Sequence, residues 1–150
     1  MPGMRYSATD QQTLASTADT ALTISANAST AHRLWLTEFI IGNVGTPADL
    51  VSVYTVGNTS DVGTGDALTE VPLDPGDAAS RAVATGNHTS EPTYTNDILD
   101  IPLNHRATFR WVAAPGNELV NDGTVNDGFG IKTDHASATT DYLATMIWLE

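Results

Sequence analysis

Arg33-Leu34-Trp35-Leu36-Thr37-Glu38-Phe39-Ile40-Ile41 and Asp141-Tyr142-Leu143-Ala144-Thr145-Met146-Ile147-Trp148-Leu149 are the two stretches that decide the fold. Both are rich in aromatic and β-branched residues, which fit a pleated, half-buried surface. On strict alternation the first puts Leu34, Leu36, Glu38 and Ile40 on one face and Trp35, Thr37, Phe39 and Ile41 on the other. The second puts Tyr142, Ala144, Met146 and Trp148 against Leu143, Thr145, Ile147 and Leu149. A sandwich strand with one solvated face is polar at every second position. These two are apolar on both. Something is therefore expected to cover the outer face: the chain's own N-terminal arm, a helix, or another subunit.

Working outward, other segments read as strands: Thr20 to Ser25, Leu50 to Val56, Asp66 to Leu73, Asp97 to Leu103, Ala107 to Ala113 and Gly128 to Thr133. Turn residues separate them, as in Gly45-Thr46-Pro47, Gly63-Thr64-Gly65 and Pro115-Gly116-Asn117. Pro102 cannot donate to a ladder, so its strand belongs at a sheet edge. Asp74-Pro75-Gly76-Asp77, running on to Val83, offers an N-cap, a proline at the first helical position and a second acid in the first turn. It predicts one short helix. The sum is an all-β chain: a jelly-roll-like β-sandwich of about eight strands with one short helix. The organisation expected is an N-terminal arm over 1–18 and a sandwich domain over 19–150. The arm has too little pattern for a core of its own, so it is expected to be extended and packed on another chain, or to add a strand to its own sandwich.

Charge sets the class of partner. The 150 residues hold 18 Asp and Glu against 6 Lys and Arg, a formal net charge of −12. Lys132 is the only lysine. Nucleic-acid binders neutralise phosphates with a basic face, so a general nucleic-acid role is excluded. Attachment to an anionic membrane is disfavoured for the same reason. No cysteine is present, which removes disulfides, thiol catalysis and cysteine-held zinc. The first twenty residues lack a basic stretch followed by an apolar run, so no secretory leader is expected. A lysine-poor, acidic surface suits a protein kept soluble in strong salt, as in a marine or salt-loving host.

Motifs of known chemistry are sparse. Asn121-Asp122-Gly123 and Asn126-Asp127-Gly128 form the densest oxygen-donor cluster, of the kind that can hold Ca²⁺. Their spacing lacks the alternate donors and late Glu of an EF-hand loop. Two tight turns are the simpler reading. No two of His32, His88, His105 and His135 stand at metal-ligand spacing, and no Gly-x-Ser-x-Gly or phosphate loop occurs. His105-Arg106, at a strand start, reads as a polar edge. The chain is therefore expected to have no catalytic residues, no cofactor and no metal. Trp35, Trp111 and Trp148 could stack on sugars, but each lies in an alternating strand and reads first as core.

Four segments carry a resemblance. They are Pro72-Leu73-Asp74-Pro75-Gly76-Asp77-Ala78-Ala79, Glu91-Pro92-Thr93, the run from Ile101 through Phe109-Arg110-Trp111-Val112-Ala113-Ala114-Pro115-Gly116, and Glu118-Leu119-Val120 leading to Gly128-Phe129-Gly130-Ile131. In this order, with Arg5-Tyr6, they resemble small β-sandwich structural proteins encoded by tailed viruses and prophages. The resemblance implies a virion protein, most specifically a capsid decoration (cement) protein on the outside of the head. The partners implied are the major capsid protein and copies of the chain itself, with a trimer favoured, and neither nucleic acid nor membrane. A tail or baseplate host-attachment module, or a carbohydrate-binding module, is the alternative; an enzyme ranks third. The arm and the two doubly apolar strands supply the expected contact residues: Met4, Arg5, Tyr6, Trp35, Phe39, Tyr142 and Trp148.

Overall fold

A computed structural model describes residues 3–14, 19–135 and 139–150. The described residues form strands and no helix. In chain order the strands are β1 (Arg5–Leu14), β2 (Thr20–Ala26), β3 (Trp35–Asn43), β4 (Val51–Asp61), β5 (Thr64–Ala67) and β6 (Val71–Pro72). They continue with β7 (Ala82–Ser90), β8 (Thr93–Asn104), β9 (Thr108–Val112), β10 (Leu119–Val120), β11 (Gly128–His135) and β12 (Thr140–Leu149). Two antiparallel sheets face each other. The first runs β10-β3-β12-β1-β6, with β9 also paired to β3; the second runs β5-β7-β2-β11-β4-β8. The chain changes sheet at almost every step: β1, β3, β9 and β12 lie in the first sheet, and β2, β4, β8 and β11 in the second.

Side chains from both inner faces fill the space between. Tyr6, Phe39, Ile41, Met146 and Trp148 come from the first sheet, and Leu22, Ile24, Tyr54, Val56, Phe129 and Ile131 from the second. Ring contacts tie the aromatic residues together. Tyr6 lies 6.0 Å from Trp148, Phe39 stacks on Trp111 at 5.4 Å, and Tyr54 meets Tyr142 across the sandwich at 4.7 Å. Pairs at such separations add about 0.5–1.5 kcal/mol each beyond their burial.

The two deciding strands behave differently. In β12 strict alternation holds: Tyr142, Ala144, Met146 and Trp148 are buried. In β3 it does not. Leu34, Leu36, Phe39 and Ile41 all point into the core. The ladder to β12 shifts at one place, with Glu38 opposite Ile147 and Leu36 opposite Trp148. Thr37 is thus the extra residue of a β-bulge, and its hydroxyl donates to the Ile147 carbonyl at 3.0 Å. One inserted residue swaps the faces of everything beyond it. The outer face of β3 is therefore Trp35, Glu38 and Ile40.

Three expectations need correction. The 1–18 segment, expected as an extended arm packed on another chain or as an added strand, is a strand of its own sandwich where it is described: Arg5–Leu14 is β1, paired along its whole length with β12. The strand-adding alternative is what the structure contains. The helix expected from Asp74 to Val83 is absent. The Asp77 amide donates to the Asp74 carbonyl at 2.9 Å, and the Gly76 amide to Asp74 Oδ1 at 2.9 Å, so Asp74 caps a turn. The reason is tertiary. β6 ends in the first sheet and β7 begins in the second, so Leu73 to Arg81 must cross between layers roughly 10 Å apart. That crossing overrides a weak local preference for helix. Finally, Asp66 to Leu73 is not one strand; it divides into the end of β5 and β6, which lie in different sheets. Pro102 does sit in an edge strand, β8.

Candidate functional site

The outer face of the first sheet follows from the pairing register. One row runs Val120, Trp35, Leu149, Arg5. The next runs Val112, Glu38, Ile147, Ser7, Val71. A third runs Arg110, Ile40, Thr145, Thr9. Val112, Val71, Val120 and Leu143 are exposed at 54%, 50%, 40% and 38%, while Trp35, Ile40, Ile147 and Leu149 are half-buried by their neighbours. Every described strand belongs to one of the two sheets, so no described strand lies over this face as a third layer. Neither intramolecular cover proposed from sequence fills the role among the described residues: β1 is within the sheet and no helix is formed.

The face is also electrically neutral. Its strands present two acids, Glu38 and Asp141, and two bases, Arg5 and Arg110. Arg110 Nε donates to Glu38 Oε1 at 2.6 Å. That hydrogen bond, together with the nearby Arg5 charge, holds the Glu38 carboxyl below its ordinary value against the opposing effect of burial. Thr13 Oγ1 donates to Asp141 at 2.6 Å. The whole formal charge of −12 therefore resides elsewhere. The second sheet's edge strand β8 carries Asp97 and Asp100; Lys132 meets Asp97 at 3.0 Å, and Thr55 donates to Asp100 at 2.7 Å.

The seven contact candidates fall into two groups. Tyr6, Phe39, Tyr142 and Trp148 are buried within the chain and belong to its own core, which corrects their assignment as contacts with other molecules. The bulge at Thr37 is what turns Phe39 inward. Trp35 lies half-buried on the outer face, Arg5 is exposed two strands away in the same row, and Met4 packs partly against the core. Alternation sorts β12 correctly into two faces, but the candidates Tyr142 and Trp148 belong to the buried one, and the outward Ile40, Val112, Ile147 and Leu149 are not among the seven. Their signal was the doubly apolar pattern itself.

A second feature is a polar cavity of about 540 Å³ between β4, β8 and the 121–128 loop. Asn121 anchors that loop. Its Oδ1 accepts from the Leu34 amide at 2.7 Å, and its Nδ2 donates to the Asp127 carbonyl at 2.9 Å. Gly123 and Asn126 take positive φ, 86° and 65°, as the two-turn reading requires. The turns bring Asp122 and Asp127 together, with Thr124 Oγ1 within reach of both carboxylates. Burial, and then Asp122, raise Asp127, while Asp127 and the Thr124 amide lower Asp122. Each carboxyl thus shifts the titration of the other, as adjacent like charges do. Among the described residues no three His, Asp or Glu side chains gather as a metal-binding group.

Ser52 Oγ and His105 Nε2 stand 2.7 Å apart, a spacing that could suit nucleophile and base. Both residues are 1% exposed, so no substrate reaches them. His105 is not the polar edge expected from sequence. Burial keeps its imidazole below the ordinary value, and its ring meets Tyr142 edge-on at 6.0 Å. The pair is a hydrogen-bonded core contact. The side chain of His135 lies outside the described residues. Trp111 and Trp148 point inward, which leaves Trp35 without a second tryptophan to form a sugar-stacking platform.

No protein-family model matches the chain, and no curated protein matches it. Among solved structures, one of Cocksfoot mottle virus aligns with 99% of this chain and 93% of its own, at 16% identity and a TM-score of 0.28. At that score the likeness carries no argument.

Proposed function

We propose that this chain is a virion structural protein of a tailed virus that works by surface contact. In particular, it decorates the outside of the head, bound to the major capsid protein and to copies of itself. The observation that carries the reading is the strand order. β1-β12-β3-β9 faces β2-β11-β4-β8, and successive strands of these eight alternate between the sheets except β4 and β8, which pair within the second. We read this as a jelly roll with β5, β6 and β7 as an insertion between its fourth and fifth strands. Jelly rolls recur in viral shells, and also in lectins and cupins. The step from architecture to role is one of analogy. The neutral, uncovered outer face and the resemblance of the Phe109 to Gly116 segment narrow it toward assembly.

Β-sandwich decoration needs a surface free of mutual repulsion and a remainder that keeps the particle dispersed. This charge distribution supplies both. The test is to purify particles made by the genome that encodes the chain, separate heads from tails, and quantify the chain in each. Decoration requires it on heads, at a copy number set by capsid symmetry. Its absence from particles overturns the reading. Its restriction to tails at low copy number moves the chain to the baseplate, and binding on a glycan array by the isolated chain would favour the carbohydrate-binding alternative.

A further inference from the structure

We infer that the outer face of the first sheet is a self-association surface, on which two copies pack face to face about a two-fold axis. Three observations converge on a second copy as the occupant. The first is apolarity without cover: Trp35, Ile40, Val112, Ile147 and Leu149 lie on one face, and no described strand forms a third layer above them. Contiguous exposed apolar patches on soluble chains mark interaction sites.

The second is charge. The remainder of the molecule holds 16 acids against 4 bases, so contact through it sets excess carboxylate against excess carboxylate. This face balances, with Arg5 and Arg110 against Glu38 and Asp141. A neutral face meeting itself places no net charge opposite net charge, and each Glu38 arrives already paired with Arg110 at 2.6 Å. A basic partner would find the acidic remainder of the molecule more attractive than this face.

The third is size. β1 and β12 each have 10 residues. β3 has 9, β9 has 5, and β6 and β10 have 2 each. At a rise of about 3.4 Å and a strand spacing of about 4.8 Å these strands cover roughly 620 Å², so two faces together bury about 1,240 Å², the lower end of the standard interface range of about 1,200–2,000 Å². A single self-complementary patch closes as a two-fold dimer, whereas a trimer needs two different patches per copy. The proposal is therefore a dimer, and the trimer expected from sequence is the competing outcome of its test.

This inference draws its setting from the reading of the chain as an assembly protein, but it is tested on the isolated chain, so the two can fail separately. The experiment is sedimentation equilibrium of the full chain at about 1 to 100 µM, with variants Ile147→Lys and Val112→Glu on the face and Ile98→Glu on the second sheet as control. The wild type is expected at twice 15.8 kDa. Both face variants are expected to raise the dissociation constant at least tenfold while keeping the β-sheet circular dichroism spectrum, and the control to leave it unchanged. Val112, the most exposed position, decides the matter if Ile147→Lys does not fold. A wild type that stays at 15.8 kDa overturns the inference and leaves another molecule as occupant. A trimer, or a dimer indifferent to both face variants, overturns it as well.

Discussion

Glu150 closes the sandwich at one end, and its removal tests how the two sheets are held together. The residue follows β12 in the first sheet, and its side chain is wholly buried against the start of β7 in the second. Four donors converge on it: Ser80 Oγ at 2.5 Å, the Arg81 amide at 2.9 Å, the Ala82 amide at 3.0 Å and Trp148 Nε1 at 3.2 Å. Burial alone would raise this carboxyl. The four hydrogen bonds outweigh it and hold the group below its ordinary value. Hydrogen bonds to a charged group contribute about 1.5–3 kcal/mol each, are not additive, and leave costly unpaired donors when broken. The Ala82 amide keeps Ser80 Oγ as a second acceptor at 3.0 Å, which softens its loss. Glu150→Ala is therefore expected to cost about 3 kcal/mol, which lowers the melting temperature of a chain this size by about 6–12 °C.

The pH dependence makes the prediction sharper. A carboxyl held below its unfolded value contributes stability that is present in full above that unfolded value and lost as pH falls through the folded one. The gap between wild type and Glu150→Ala should be constant at neutral pH, begin to close below the ordinary value of 4.5, and narrow further in stronger acid. Thermal melts followed by circular dichroism across a pH series measure it. A variant that melts within about 2 °C of wild type at neutral pH, or a gap that persists unchanged into acid, refutes the reasoning.

Two further outcomes are expected. His105 is buried and held below its ordinary value of 6.5, so the unfolded chain takes the proton first; stability should be full above that value and fall as pH drops beneath it. Urea titrations at stepped pH should show a shallower decline in His105→Gln than in wild type, and equal slopes would count against a buried neutral imidazole. The melting temperature of the wild type should rise from low salt to about 1 M NaCl, where the Debye length falls to about 3 Å, with a chelator present throughout. A flat or falling curve would make the acidic surface ordinary solubility chemistry.

The all-β architecture was legible because β-branched and aromatic residues are concentrated between Gly- and Pro-marked turns. β12 could be read face by face, since nothing interrupts its alternation. β3 could not. A single bulged residue, Thr37, has no sequence signature, yet it decides whether Phe39 or Ile40 faces the core. β7 was invisible for a different reason: Ala82–Ser90 contains Gly86 and Asn87, and it is a strand only because β2 and β5 pair with it on both sides. The Glu150 contacts to Ser80, Arg81 and Ala82 and the Ser52–His105 pair join positions 68 to 70 and 53 residues apart, and no local pattern encodes such meetings. The doubly apolar strands were the one feature whose consequence could be stated early. They required a cover, and the fold then removed the chain's own described segments from the candidates.

Salt separates the two ways in which so acidic a chain could associate. If copies were held by ion pairs, such as Arg81 with Glu150 or Arg106 with Asp49 re-formed between molecules, added salt would screen the attraction and loosen the assembly. Those bases are too few for this: six against 18 acids leave most carboxylates without a partner in any arrangement. Contact through a neutral apolar face inverts the dependence. Little attraction is there to screen at the interface, while the repulsion between the two acidic remainders is long-ranged and falls as the Debye length shortens. Burial of Trp35, Ile147 and Val112 is undiminished by chloride salts and favoured by strongly excluded anions such as sulfate. Association should therefore tighten with ionic strength, and the sign of that response follows from where the sheet register places two arginines and two carboxylates, independently of any particle to which the chain is bound.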